Sequence, residues 1–289
     1  MRRPVARGRD SVQEAPIASE VLSTLRVRSV GRAELSVRPR PGPARPVTGI
    51  ARLRTQGCLK LLFPKGNDPL VGVLLNTSGG ITGGDRLSTA IEVASGGALS
   101  LTTQAAERIY RAADGRARVE TRLSVAPGAK LDWLPQETIL FDRAALDRRL
   151  EAEVSGDAHL LVGEALVFGR RLSGERLDRI DLRDRIAIRR DGAPLLTDVF
   201  RLDAAGPMAG PGTLAGAGAM ATLVLAAPDA CARLDAVRAE LGPDGGASAP
   251  RDGVLAVRLL APDGFELRAR LARLLPLLAG SALPPNWRI

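Results

Sequence analysis

Residues 118–125 read Arg-Val-Glu-Thr-Arg-Leu-Ser-Val, so that Val119, Thr121, Leu123 and Val125 alternate with Arg118, Glu120, Arg122 and Ser124. A strand with one buried and one solvated face imposes that period of two, and a helix does not. Leu150, Ala152 and Val154 against Glu151, Glu153 and Ser155 repeat the pattern, and Ile186 and Ile188 against Arg185, Ala187 and Arg189 repeat it more weakly. The alternation runs from about residue 27 to about residue 225. Turn formers punctuate it at Gly96-Gly97, Asp114-Gly115, Pro127-Gly128, Gly156-Asp157, Ser173-Gly174 and Asp191-Gly192, each supplying the positive φ or side-chain-to-backbone hydrogen bond that a tight reversal needs. The spacing predicts a mainly β chain, layered or coiled. No fixed-period sequence repeat is present, so a solenoid here would be irregular.

The period changes near the end. Cys231, Leu234, Val237 and Leu241 share one helical face over 228–241, with Pro228 in the first turn, Gly242 as cap and Pro243 as stop. A second helix is predicted over 264–275, opened by Asp263 with Glu266 three residues on and closed by Pro276. The C-terminal region thus reads strand, helix, strand, helix. Residues 1–20 carry mixed charge, Pro4 and Pro16 without periodicity, which predicts a loose tail ahead of one β-rich domain over 21–289.

Composition removes several classes. No window approaches the roughly 18 apolar residues of a membrane span, and Arg2, Arg3, Arg7 and Arg9 precede no apolar stretch, so the cytoplasm is the expected location. Cys58 and Cys231 are the only cysteines and His159 the only histidine, too few for a closed zinc or nickel site or a disulfide framework. The net charge of +9 comes mostly from arginines interspersed with acids, and aromatics make up 3% of the chain. That argues against a nucleic-acid binder; an acidic protein partner suits the charge equally well. No GxSxG elbow is present and no cysteine has a nearby histidine, so an enzyme reading rests on carboxylates alone.

The most distinctive segment is LLNTSGGITGGD, 74–85. A P-loop needs Lys and Ser or Thr after its last glycine, whereas Asp85 and Arg86 follow here, and 87–94 reads as a strand where a dinucleotide fingerprint needs a helix. Tight turns with close backbone packing remain, though they leave Asp85 unexplained. Glu107 in TTQAAERIYR and Glu137 in WLPQETILFD are either a general acid–base pair of glycosidase type or partners of Arg108, Arg111 and Arg143, with ion pairing favoured. Glu164 in GEALVFGRRLSGE and Asp198 in PLLTDVFRL lie in apolar strands, where an acid is costly unless paired or hydrated.

Taken together and in order, LRTQGCLKLLFPKG, LLNTSGGITGGD, TTQAAERIYR, WLPQETILFD, LVFGRRLSGE and DGAPLLTDVFRL resemble the UreD (UreH) family of urease accessory proteins over about residues 25–205, and the closing LPPNWRI is similar to the family's ending except at Pro285. The resemblance implies an irregular β-helix-like stack of sheets with a few helices. It also implies a non-enzymatic chaperone that binds the urease apoprotein and recruits a UreF-like helical protein and a UreG-like GTPase. Nickel would then be cargo in transit, with no tightly bound cofactor and GTP hydrolysis left to the partner. An ion in transit needs weak ligands, and carboxylates hold nickel less tightly than thiolates or imidazoles. Asp85, Glu107, Glu164 and Asp198 are therefore expected to line an internal polar path, with Glu137 undecided. The alternative is a carboxylate-dependent β-helix hydrolase.

Overall fold

The computed structural model describes residues 28–42, 46–65, 69–170, 173–175, 177, 179–205, 210, 213–279 and 283–287. The expected loose tail over 1–20 lies outside them. The chain is mostly strand, coiled into a β-solenoid. β1 (Val30–Arg40), β2 (Val47–Gly57) and β3 (Leu59–Leu62) lead into four irregular turns. The first turn contributes β4 (Leu70–Asn76) and β5 (Arg86–Val93), and the second β6 (Ala98–Thr103), β7 (Glu107–Ile109) and β8 (Ala117–Val125). The third contributes β9 (Lys130–Leu134), β10 (Thr138–Leu140) and β11 (Ala145–Val154), and the fourth β12 (His159–Phe168) and β13 (Arg179–Arg190). β14 (Ala193–Ala205), β15 (Ala219–Ala226) and the hairpin β16 (Gly245–Arg251) and β17 (Val254–Ala261) complete the sheets.

Equivalent strands of successive turns pair in parallel. One sheet runs β14-β13-β11-β8-β5-β1-β2, the other β16-β17-β15-β12-β9-β6-β4-β3. A short third face joins β7, β10 and the end of β12. Leu70 pairs with Leu99, Ala98 with Lys130 and Lys130 with His159, so the turns differ in length. This is why no sequence period is visible.

Leu123, Leu150, Ile186 and their neighbours in register fill the space between the two sheets. β8 and β11 alternate cleanly because their other face meets water. β12 and β15 do not, because a second cluster buries their outer face under α1 (Leu234–Leu241) and α2 (Gly264–Ala279), and a strand buried on both sides reads as a continuous apolar run.

The helical region departs from its sequence reading in three ways. Residues 230–233 form a 3-10 turn ahead of α1, a β-hairpin in place of one strand separates the helices, and α2 continues through Pro276. Leu278 and Ala279 are buried, and Arg233 Nη1 donates to the Leu277 and Leu278 carbonyls at 3.0 and 2.9 Å. That packing and capping offset the hydrogen bond that the proline removes. The start is as expected: Asp263 Oδ1 accepts from Glu266 N–H at 3.0 Å.

Candidate functional site

A cavity of about 190 Å³ opens between the sheets, with Leu59, Leu74, Leu87 and Trp133 in its wall and Asn76, Glu107, Gln136, Thr138, Arg148 and Glu164 as its polar lining. Of the four acids expected along an internal path, Glu107 and Glu164 reach it. Glu107 begins β7, and its two oxygens accept from Asn76 Nδ2 at 3.2 and 3.1 Å. Burial pushes its carboxyl above the usual range, against the Asn76 hydrogen bond and Arg108.

Glu164 projects inward from β12. Its Oε1 accepts from Trp133 Nε1 at 2.9 Å and its Oε2 from Arg148 Nη1 at 2.6 Å. Arg148 crosses from β11 and also grips Asp184 of β13 in a bidentate pair at 2.9 and 2.6 Å. Burial pushes the Glu164 carboxyl above the usual range, with Arg148 and the Trp133 hydrogen bond opposing it. Both oxygens accept, one from a guanidinium, which offsets part of the cost of burying the group.

Asp198 lies outside the cavity wall, opposite Ile186 and one step along β14 from the row at Glu164. Glu164, Thr222 and Arg258 are in register on β12, β15 and β17. Facing them, Arg148, Asp184 and Phe200 are in register on β11, β13 and β14. Arg258 Nη2 contacts Asp198 Oδ2 at 2.6 Å, with both side chains about one-third exposed. Glu107 and Glu164 thus share the cavity, and Asp198 stands outside it, in contact with Arg258.

The structure sets Asp85 apart. Its Oδ1 accepts from Ser29 N–H and its Oδ2 from Thr82 N–H, both at 2.8 Å, so it clasps the glycine turn to the chain entering β1. This accounts for an acid at the end of the glycine motif. Arg86 is exposed.

The favoured ion-pair partners are also corrected. Glu107 meets Asn76, and Glu137 reaches Arg268 of α2 at 3.2 Å, although Glu107 N–H donates to the Glu137 carbonyl at 2.9 Å. Sequence distance hid both partners. Sequence reasoning also missed Arg148, although its place between Leu146 and Leu150 on the buried face was a signal. His159 opens β12 with Nε2 3.7 Å from Asp132 Oδ1. Among the described residues no three His, Cys, Asp or Glu gather into a group that can hold a metal ion, and no helix is long and apolar enough to cross a membrane.

The fold and cavity define a β-solenoid with an acid-lined interior and helices packed on one outer face. A profile of the family described as UreD urease accessory protein matches residues 29–288. The chain is 43% identical over 265 residues to "Urease accessory protein UreD" of Roseobacter denitrificans, covering 91% of this chain and 96% of the relative. It is 44% identical over 275 residues to "Urease accessory protein UreD 1" of Brucella ovis, covering 93% and 96%. It is 42% identical over 278 residues to "Urease accessory protein UreD" of Mesorhizobium japonicum, covering 94% and 98%. The chain belongs to the UreD family of urease accessory proteins, and that membership supports a role in urease maturation.

Proposed function

We propose that this chain is a non-catalytic cytoplasmic scaffold that binds apo-urease, recruits a UreF-like helical protein and a UreG-like GTPase, and passes nickel along an internal path from Glu107 through Glu164 to Asp198. The observation that carries the path is the shared cavity. Two acids from different turns, far apart in sequence, line one space between the sheets, where burying a carboxylate carries a cost. Asp85 has no place in this path, since both its oxygens are committed to backbone N–H groups.

Glu164 is paired with Arg148 and Asp198 with Arg258, whereas Glu107 meets the Asn76 amide. A divalent cation moving past Glu164 or Asp198 would compete with a guanidinium for the carboxylate, which keeps those stops weak and the ion mobile.

Co-expression of the tagged chain with both accessory partners and apo-urease, followed by affinity purification and activation with nickel and GTP, tests both parts. A stoichiometric complex that activates urease supports the scaffold. Glu107→Gln and Asp198→Asn should enter the same complex and activate it several-fold less. Normal activation by both variants would refute the path and leave the scaffold standing; failure of the unaltered chain to recover any partner would refute the scaffold.

A further inference from the structure

The corner between the third face and the seven-stranded sheet repeats an arginine on successive turns. Ala112 N–H donates to the Arg143 carbonyl at 2.9 Å, and Arg143 N–H to the Arg179 carbonyl at 2.7 Å, so residues 111–112, 143 and 179 stack one above another. Their side chains line an open trough of about 800 Å³ floored by small residues, among them Ala112, Ala144 and Ala145. Arg111 and Arg179 are exposed, and among the described residues neither has an ion pair. Arg143, held at φ 60, reaches Asp142 at 3.5 Å. Asp181 is already paired with Arg116 at 2.6 Å. The trough therefore presents a surplus of positive charge.

One step outward the same turns build a second ladder. Tyr110 packs edge-on against Phe141 with ring centroids 5.1 Å apart, and the Arg170 guanidinium lies 4.3 Å from the Phe141 centroid. Tyr110 is 36% exposed in a chain with only one tyrosine and five phenylalanines. Gly80 makes room for that ring, because a Cβ there would lie 2.4 Å from it. Arg170 is itself paired with Glu175 at 3.1 Å; an exposed Tyr beside the exposed Arg111 has the composition of a binding hot spot.

We propose that this corner docks an acidic segment of a partner protein, its carboxylates on Arg111, Arg143 and Arg179 and an apolar side chain against Tyr110 and Phe141. At about 800 Å³ the trough holds far more than one phosphate. A floor of alanines admits an extended backbone lying flat. Asp114 on its rim repels a uniform polyanion but pairs with a lysine flanking the acids, which favours a peptide over nucleic acid. The inference rests on the scaffold reading only in taking the partner to be a protein.

Fluorescence anisotropy with a labelled Glu-rich peptide carrying one Leu tests it at low and physiological salt. Arg111→Glu with Arg179→Glu should weaken binding at least about tenfold, and Tyr110→Ala should weaken it by a smaller factor. The same charge reversal at Arg52 and Arg54 on β2 should leave it within about twofold. If the first pair compromises folding, Arg111→Gln with Arg179→Gln replaces it, with an expected loss of about fivefold. Equal loss in the β2 control, displacement of the peptide by inorganic phosphate or duplex DNA as readily as by unlabelled peptide, or absence of binding would overturn the proposal. Partner recovery in co-purification reads the scaffold separately: it can fail while the peptide still binds, or hold while the peptide does not.

Discussion

Arg148 Nη1 stands 2.6 Å from Glu164 Oε2, and this contact ties the inner faces of the two sheets across the middle of the solenoid. The same guanidinium holds Asp184, and it donates to Thr138 Oγ1 at 3.1 Å. One cation thus serves two acids beside the cavity.

Removing that cation should be severe. Arg148→Ala leaves the buried Glu164 and Asp184 beside it without a counter-charge, a loss of about 3–5 kcal/mol. Glu164→Gln should cost less, roughly 1.5–3 kcal/mol, because its amide oxygen can still accept from Trp133 while Arg148 keeps Asp184. Urea unfolding of both variants checks the order. An Arg148→Ala chain as stable as Glu164→Gln would show that the triad does not couple the sheets. Glu164→Ala removes both hydrogen bonds and is a stability variant too, so activation assays need the isosteric change.

Glu107 carries a pH signature. Burial raises its folded-state pKa above the ordinary value of 4.5. Between those two values the folded chain keeps a proton that the unfolded chain has released. Stability therefore falls as pH rises through that window, and below it the group contributes no slope. Glu107→Gln stays neutral and should flatten this part of the curve, so the variant gains on the parent as pH rises above the ordinary value. Urea midpoints for both chains across the window read it directly. Parallel curves would mean that Glu107 is not the group responsible.

The sheets were legible where one face met water, and illegible where neither did. Arg118 to Val125 shows its strand at sight; His159 to Phe168 reads only as apolar, because the inner core and α2 bury both sides. Glu164 stood out because an acid in an apolar strand demands a partner. Asp85 gave the same outward signal for a different reason, being satisfied by two backbone N–H groups that no sequence pattern reveals. The partners of Glu164 and Glu137, at Arg148 and Arg268, depend on which turn stacks on which. Unequal turns hide that register. The same stacking gathers Arg111, Arg143 and Arg179, which are scattered along the chain.

Gly83 tests the stacking itself. A Cβ at this position would lie 2.3 Å from the Asp114 carbonyl oxygen and 2.6 Å from that of Gly115. Both belong to the backbone of the next turn, so no side chain can swing away. Gly83→Ala should cost about 1–3 kcal/mol or more through forced separation of the first two turns. A Gly246→Ala control, where nothing lies within 4 Å, should cost far less. Thermal unfolding of the two proteins separates these cases, and a neutral Gly83→Ala would mean that the turns tolerate a wider spacing at this corner.

The C-terminal Trp287 is the last element to be tied in. It is 3% exposed, and its Nε1 donates to the Leu134 carbonyl at 2.8 Å. Arg268 of α2 lies 4.9 Å from the ring centroid, and it also donates to the Asn286 carbonyl and to Gln136 Oε1. Asn286 Nδ2 donates to the Thr103 carbonyl at 3.0 Å. The segment therefore fastens α2 to the second and third turns beside Gln136, which lines the cavity. Trp287→Ala removes the ring and the hydrogen bond and should cost about 3–5 kcal/mol. Trp287→Phe keeps most of the packing and leaves the Leu134 carbonyl short of a donor, a loss of roughly 1–3 kcal/mol. Equilibrium urea unfolding should rank the two in that order below the parent. If Trp287→Ala unfolds with the parent's midpoint, the C-terminal segment is an ornament on the sheet, and the edge of the cavity is held by the turns alone.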